Sequence, residues 1–381
     1  MPSYRNAVFV KSAVLEAFAV TVCVAGCGAG RGLQPSADGG TRVFAATGSM
    51  TTPREGHTAT LLPGGKVLIT GGVGASPLAS AELYDPNVGR FAATGSLTVP
   101  RTGHTATLLQ NGEVLIVGGY SSNPGWGEPV AIASVELYDP ETGTFATTGS
   151  MGAARSGHVA TLLPDGKVLV AGGLGGPAFS SLQSAEIFDP SVGTFMPTGS
   201  MVSFDAAIAQ LLPNGMVLID GSSAAADAAL FDEVAGVFTV TGNMTTDRGG
   251  GYSATLLQTG NILVAGGDST GKTAEIYVPA TGTFAATGSM SASMSGPTGT
   301  LLPNGMVLVA GGSKSACCPS VCTSSAELYD AGTGAFSPTA SMTAPRCYHT
   351  ATLLPNGMVL VAGGQPASSS GNSVASAELY E

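Results

Sequence analysis

One segment returns along this chain at a nearly fixed interval, and that repetition limits the fold more than any other feature. Residues 54–72 read REGHTATLLPGGKVLITGG; RTGHTATLLQNGEVLIVGG begins at Arg101, RSGHVATLLPDGKVLVAGG at Arg155 and RCYHTATLLPNGMVLVAGG at Arg346. The second glycine of each Gly-Gly pair falls at Gly72, Gly119, Gly173, Gly267, Gly312 and Gly364, and Gly221 of LIDGSS fills the gap in the series. Successive differences of 47, 54, 48, 46, 45 and 52 residues mark seven units, each long enough for one small sheet.

Four short strands can be read in the first unit: a (HTATLL, 57–62), b (KVLIT, 66–70), c (AELYD, 81–85) and d (RFAATG, 90–95). Runs of five or six residues rich in Val, Ile, Leu and Thr suit strands buried between neighbouring sheets. Between a and b lie Gly64-Gly65, Asn111-Gly112, Asp165-Gly166, Asn214-Gly215, Asn304-Gly305 and Asn356-Gly357. Such pairs predict two-residue hairpins with positive φ at both central positions. DPNVGRF and DPETGTF, between c and d, place Pro early and Gly late, as a short bulged turn requires.

The ends of the repeat array are complementary. AELYE (377–381) is a strand c with no strand d after it, and TRVFAATGSM (41–50) is a strand d standing before the first strand a. If the sheets form a ring, the N-terminal strand completes the last sheet and removes its open edge. The expectation is an all-β, seven-bladed β-propeller over residues 41–381, closed by that strand. With 44% hydrophobic residues and 56 glycines, the composition suits a large core with many tight turns.

Gly-Gly ending strand b, Tyr84-Asp85, Tyr138-Asp139 and Tyr329-Asp330 in strand c, and Arg-x-Gly-His ahead of strand a resemble kelch repeats, the type of propeller found in the central domain of galactose oxidase. The resemblance covers nearly all of residues 41–381. One departure is the strand-d tryptophan common in kelch units, replaced here by Phe44, Phe91, Phe145, Phe195, Phe238, Phe284 and Phe336, which keep an aromatic plug.

The N-terminus reads as an export signal. Arg5 and Lys11 precede the apolar stretch 12–24, and Val24-Ala25-Gly26-Cys27 resembles the lipobox of bacterial lipoproteins. This implies a signal at 1–27 with Cys27 as the lipidated N-terminus, or a secreted form without lipid; Glu16 departs from the pattern. Residues 28–40 read as a flexible tether. The expected location is the bacterial cell envelope, as a monomer that meets the membrane only through the lipid. A formal charge of −11 from only 14 basic residues argues against nucleic-acid binding.

His57, His104, His158 and His349 are the only histidines, and all hold one repeat position. Copies set by register lie a blade apart, so they are expected to ring the axis and bond turns rather than converge on a metal. Arg54, Arg101, Arg155 and Arg346 stand three residues earlier, and Arg248 is close to the equivalent place. Glu82, Glu136, Glu186, Glu275, Glu327 and Glu378 recur in strand c. Two readings follow: Arg–Glu pairs neutralised within or between blades, or an arginine ring that attracts an acidic ligand. Phe204 and Ala229 replace both partners in unit 4, whereas in unit 6 Met294 replaces the Arg while Glu327 stays.

Strand direction sorts the loops onto two faces. The d–a and b–c loops share face X and vary widely, at 120–134, 174–184, 313–325 and 365–376, while the loops of face Y are short and uniform. Variable loops on a rigid scaffold carry binding, so face X is expected to bind, with Trp126 as its aromatic anchor and Arg54, Arg101, Arg155 and Arg346 on the same side. Cys317, Cys318, Cys322 and Cys347 also fall on face X. In an oxidising compartment they predict two disulfides, one within the loop and one to Cys347, against a zinc site that would add His349.

The resemblance includes copper-radical oxidases and sialic acid mutarotases. Only Cys347-Tyr348-His349 gathers oxidase-type residues, and no acid–base pair outside the repeat stands out. The expected function is a non-catalytic recognition module for a glycan or protein, with no cofactor or metal; the alternative is an enzyme of the mutarotase type or, further off, the oxidase type.

Overall fold

The computed structural model describes residues 42–122, 129–176, 179–201, 206–221, 228–249, 251–315, 321–366 and 372–381. Strand b sets the architecture, because its four-residue runs, such as Val67–Thr70 and Val114–Val117, are buried on both sides. A strand with no solvated face must sit between other sheets. Seven four-stranded antiparallel sheets solve this by packing face to face around an axis.

Blade 1 consists of a (Thr58–Leu61), b (Val67–Thr70), c (Ser80–Asp85) and d (Arg90–Ser96). Blades 2–6 repeat that order. The a strands lie innermost and touch their neighbours in a closed circuit. Strands d form the outer rim and are largely exposed. No helix occurs among the described residues.

The ring closes as the chain ends require. Phe44–Ala46 pairs antiparallel with Ala377–Tyr380, with Phe44 opposite Tyr380, so blade 7 takes its outer strand from the N-terminus. In every blade a strand-c aromatic meets the strand-d phenylalanine at ring centroid distances of 4.8–4.9 Å. Five strand-c tyrosines also share a hydrogen bond with the outer-strand threonine of the blade before, as Thr47 and Tyr84 do at 2.8 Å. Phe188 and Phe231 lack the hydroxyl.

Two expectations about the backbone are corrected. The a–b connections are three-residue loops rather than two-residue hairpins. Gly65 N–H donates to Leu62 C=O and Leu62 N–H to Lys66 C=O, and only Gly65, at φ 80°, is left-handed. Pro63 and its counterparts Pro164, Pro213, Pro303 and Pro355 have a fixed φ that suits the first corner of a type I turn, and Gln110 and Gln258 adopt the same geometry in blades 2 and 5. Gly221 is equivalent to Gly71 rather than Gly72, because Ile219 pairs with Ala209 as Ile69 pairs with Ala59.

Face X carries structure that the sequence reading left as loop. The b–c loops of blades 2 and 3 continue as small hairpins, Tyr120–Ser122 with Pro129–Ala131 and Leu174–Gly175 with Ser180–Ser181. Bridges such as Thr102 to Tyr120 and Cys347 to Gln365 tie d–a loops to b–c loops.

Candidate functional site

The repeated arginines lie inside the blades. Arg54 is wholly buried: Nη1 donates to Gly71 and Ser80 carbonyls, and Nη2 donates to Ser80 Oγ and to Glu82 Oε1 at 3.1 Å. Arg101–Glu136, Arg155–Glu186, Arg248–Glu275 and Arg346–Glu378 repeat the pair at 2.7–2.9 Å. Each glutamate also accepts from the d–a loop, as Glu82 does from Thr51 and Thr52 N–H. A buried charge is tolerated when it is paired and hydrogen-bonded. The expectation that Arg54, Arg101, Arg155 and Arg346 meet an acidic ligand on face X is therefore corrected: their side chains are buried and their Nη donors are spent within the blade.

Blade 6 shows why Glu327 outlives its arginine. Its carboxylate accepts from Ser291 N–H and Oγ–H and from Ala292 N–H, and buried Met294 fills the space of the guanidinium.

The histidines join blades, and they bond threonines rather than turns. His104 Nε2 meets Thr58 Oγ1 of the blade before at 3.1 Å, and His158 meets Thr105, His349 meets Thr298 and His57 meets Thr350. Burial, with the nearby arginine, pushes His104 and His349 down to about 3 and holds His57 and His158 well below the usual imidazole range. The Gly-Gly pair makes room for this contact: a β-carbon on Gly71 would lie 2.7 Å from His104 Cε1, and Gly72 N–H donates to Arg101 C=O. Four junctions in succession, from blade 6 through 7, 1 and 2 to blade 3, carry the tie.

The other three junctions do not. The histidine place holds Ala207 in blade 4, Tyr252 in blade 5 and Pro297 in blade 6. An axial cavity of about 580 Å³ lies against this side, bordered by inner strands of blades 3–7 and, among the described residues, by none of blades 1 or 2. The residues that depart from the repeat cluster on its wall: Ala207, Ile208, Gln210, Ser253, Gln258 and Gly299.

Asp220 and Glu55 are acids outside the repeat that the sequence reading did not single out. Asp220, 1% exposed, holds a place that is Thr70, Val117, Ala171, Ala265, Ala310 or Ala362 elsewhere. Burial pushes its carboxyl up to about 8, against the favourable influence of Tyr252, the Gly221 N–H and Arg248. Burial likewise lifts Glu55 on face X to about 7, and burial followed by Glu55 raises the neighbouring Tyr120. The available signal was a carboxylate at a position that the other units fill with small or neutral residues.

The kelch motif matches residues 100–152, which span one repeat. A fungal alcohol oxidase of the AA5 family, solved in complex with copper, superposes with a TM-score of 0.67 at 18% identity over 89% of this chain and 75% of its own. YjhT superposes with a TM-score of 0.54 at 16% identity over 87% of this chain and 95% of its own. No curated protein matches the sequence. With the seven blades and their closure, these findings decide the fold. The chain is a seven-bladed β-propeller with a kelch motif in its second blade.

The propeller does not reproduce a copper centre among its described residues. They contain no group of three His, Cys, Asp or Glu side chains placed to hold a metal, and each histidine Nε2 is engaged by a threonine. Cys322 and Cys347 form a disulfide with Cα atoms 5.4 Å apart, tying the b–c loop of blade 6 to the d–a loop before blade 7. Cys347 is thereby withdrawn from any thiolate site. Trp126, Cys317, Cys318 and Phe204, together with Cys27 and the rest of residues 1–41, lie outside the described residues.

Proposed function

We propose that this propeller is a non-catalytic recognition module that binds a glycan or protein through face X. The observation that carries the reading is the asymmetry of its loops. Every a–b connection on face Y is the same three-residue turn, while all the long and unequal insertions lie on face X, two of them extended as hairpins. Loops held by a rigid scaffold are where binding residues accumulate. The arginines contribute by stiffening those loop bases, and Trp126 remains the aromatic group proposed for contact. Export to the cell envelope, with Cys27 lipidated, and a monomeric state belong to the same proposal.

The test is a glycan array and a panel of envelope proteins probed with the protein and with its Trp126→Ala variant. Binding that drops at least tenfold in the variant supports the reading; a ligand held equally well by both removes Trp126 from the site.

One observation favours the enzymatic alternative. Glu55 titrates near neutrality beside Tyr120 on face X, and an acid poised near the working pH suits proton transfer. Turnover of a free sugar that vanishes in Glu55→Gln would establish that reading over the first.

A further inference from the structure

We propose that the axial cavity beside blades 4–6 is a binding site, distinct from face X, for a neutral and largely apolar small molecule bearing one or two hydroxyl or carbonyl groups. At about 580 Å³ it lies within the usual size range of small-molecule sites, roughly 300–1,000 Å³.

Its position follows from the sequence. Six blades place alanine at the second residue of strand a (Ala59, Ala106, Ala160, Ala209, Ala254 and Ala351), and blade 6 places Gly299 there. A β-carbon on Gly299 would collide with Thr255 Oγ1, so the hydroxyl occupies room that the glycine leaves. That hydroxyl, on a residue 8% exposed, has no hydrogen-bond partner, a state it shares with Thr161 and Thr352 at the same repeat position in blades 3 and 7. A buried polar group left unpaired costs about 1–3 kcal/mol unless something satisfies it. Ala207 in place of histidine opens further room in the same wall. Gln210 replaces the threonine of other blades and Gln258 the proline, adding carboxamides where the repeat has a hydroxyl or none.

Charge selects the ligand. Among the described residues no Asp, Glu, Lys or Arg borders the cavity, and His158 at its edge is held neutral by burial. An ion would lose its hydration with no counter-charge to meet it. The walls of Ala, Leu, Val, Ile and Pro suit hydrocarbon, while Gln210, Ser253, Thr255 and Thr300 offer neutral donors and acceptors.

Saturation-transfer NMR titrations of the whole protein with 1-hexanol, cyclohexanone and methyl hexanoate test this against hexanoate and hexylammonium. At least one neutral probe is expected to bind tenfold or more tightly than either ion. Ala254→Met fills the cavity and should weaken that probe at least tenfold, whereas Ala106→Met, at the same repeat position away from the cavity, should leave it unchanged. Should Ala254→Met fail to fold, Gln210→Leu gives the same reading through loss of hexanol or cyclohexanone binding. No binding by any neutral probe, equal binding of the ions, or equal loss in Ala106→Met would overturn the proposal.

Discussion

The arc formed by blades 7, 1, 2 and 3 and the arc formed by blades 4, 5 and 6 have the same backbone but are held differently. In the first, each blade offers a neutral histidine to a threonine of the blade before and carries a buried Arg–Glu pair. In the second, no junction has the histidine, only blade 5 keeps the ion pair, and the cavity lies against the inner wall. A repeat fold can therefore relax its consensus on one side because each blade depends mainly on its neighbours. The relaxed side is where the inner space opens.

The largest expected effect breaks an ion pair in the tied arc. Arg101→Met leaves Glu136 buried without its partner and should cost about 3–5 kcal/mol in urea unfolding. Adding Glu136→Ala, which copies the blade 4 arrangement, should recover much of that loss. If the double variant is no more stable than the single one, the pair is not the unit that holds the blade.

Reducing the bridge between Cys322 and Cys347, at the boundary of the arcs, releases a loop of sequence separation 25 and should cost about 3 kcal/mol. Unfolding midpoints with and without reductant measure it. An unchanged midpoint would mean that the boundary needs no staple.

The arcs should also differ in how they respond to pH. Asp220 has a folded pKa raised to about 8 from an ordinary value near 3.8, so its contribution is fully present below pH 4 and is lost as pH rises to 8. Asp220→Asn should gain about 1–3 kcal/mol over the parent at pH 9 and nothing at pH 4. The histidines run the other way. His104 falls from 6.5 to about 3, so its contribution is complete above pH 6.5 and is lost as pH drops through the folded value. His104→Gln should cost about 1–2 kcal/mol at pH 7 and flatten the acid limb of the stability profile. Parallel slopes in parent and variant would remove His104 from that limb.

The sequence made the ring legible because TRVFAATGSM and AELYE are halves of one blade, and because a strict period lets each loop be assigned to a face. It also made the Arg–Glu pairing legible, since Phe204 and Ala229 change together. The turn geometry was misread because Asn-Gly and Gly-Gly pairs suit two hairpin types; a proline ahead of them, Pro63 in blade 1, favours the three-residue form, which blades 2 and 5 reach with Gln110 and Gln258 in its place. The cavity was not legible: Ala to Gly299 and Thr to Ser253 are conservative by themselves, and the loss of the histidine at Ala207, though visible, says nothing of what lies beside it. Only the fold brings those steps to one wall. Asp220 stood in the plainly irregular LIDGSS, yet its raised pKa depends on burial that no sequence pattern displays.

Hydrogen exchange followed by mass spectrometry across a pH series, corrected for intrinsic rates, tests the division into two arcs most directly. From pH 7 to 4.5, protection should fall first in Thr58–Leu61, Thr105–Leu108, Val159–Leu162 and Thr350–Leu353, the inner strands behind the histidines. From pH 7 to 9 it should fall first in Ala206–Leu211 and Ser253–Leu256, beside Asp220 and Tyr252. Protection lost evenly around the ring in both directions would contradict the account.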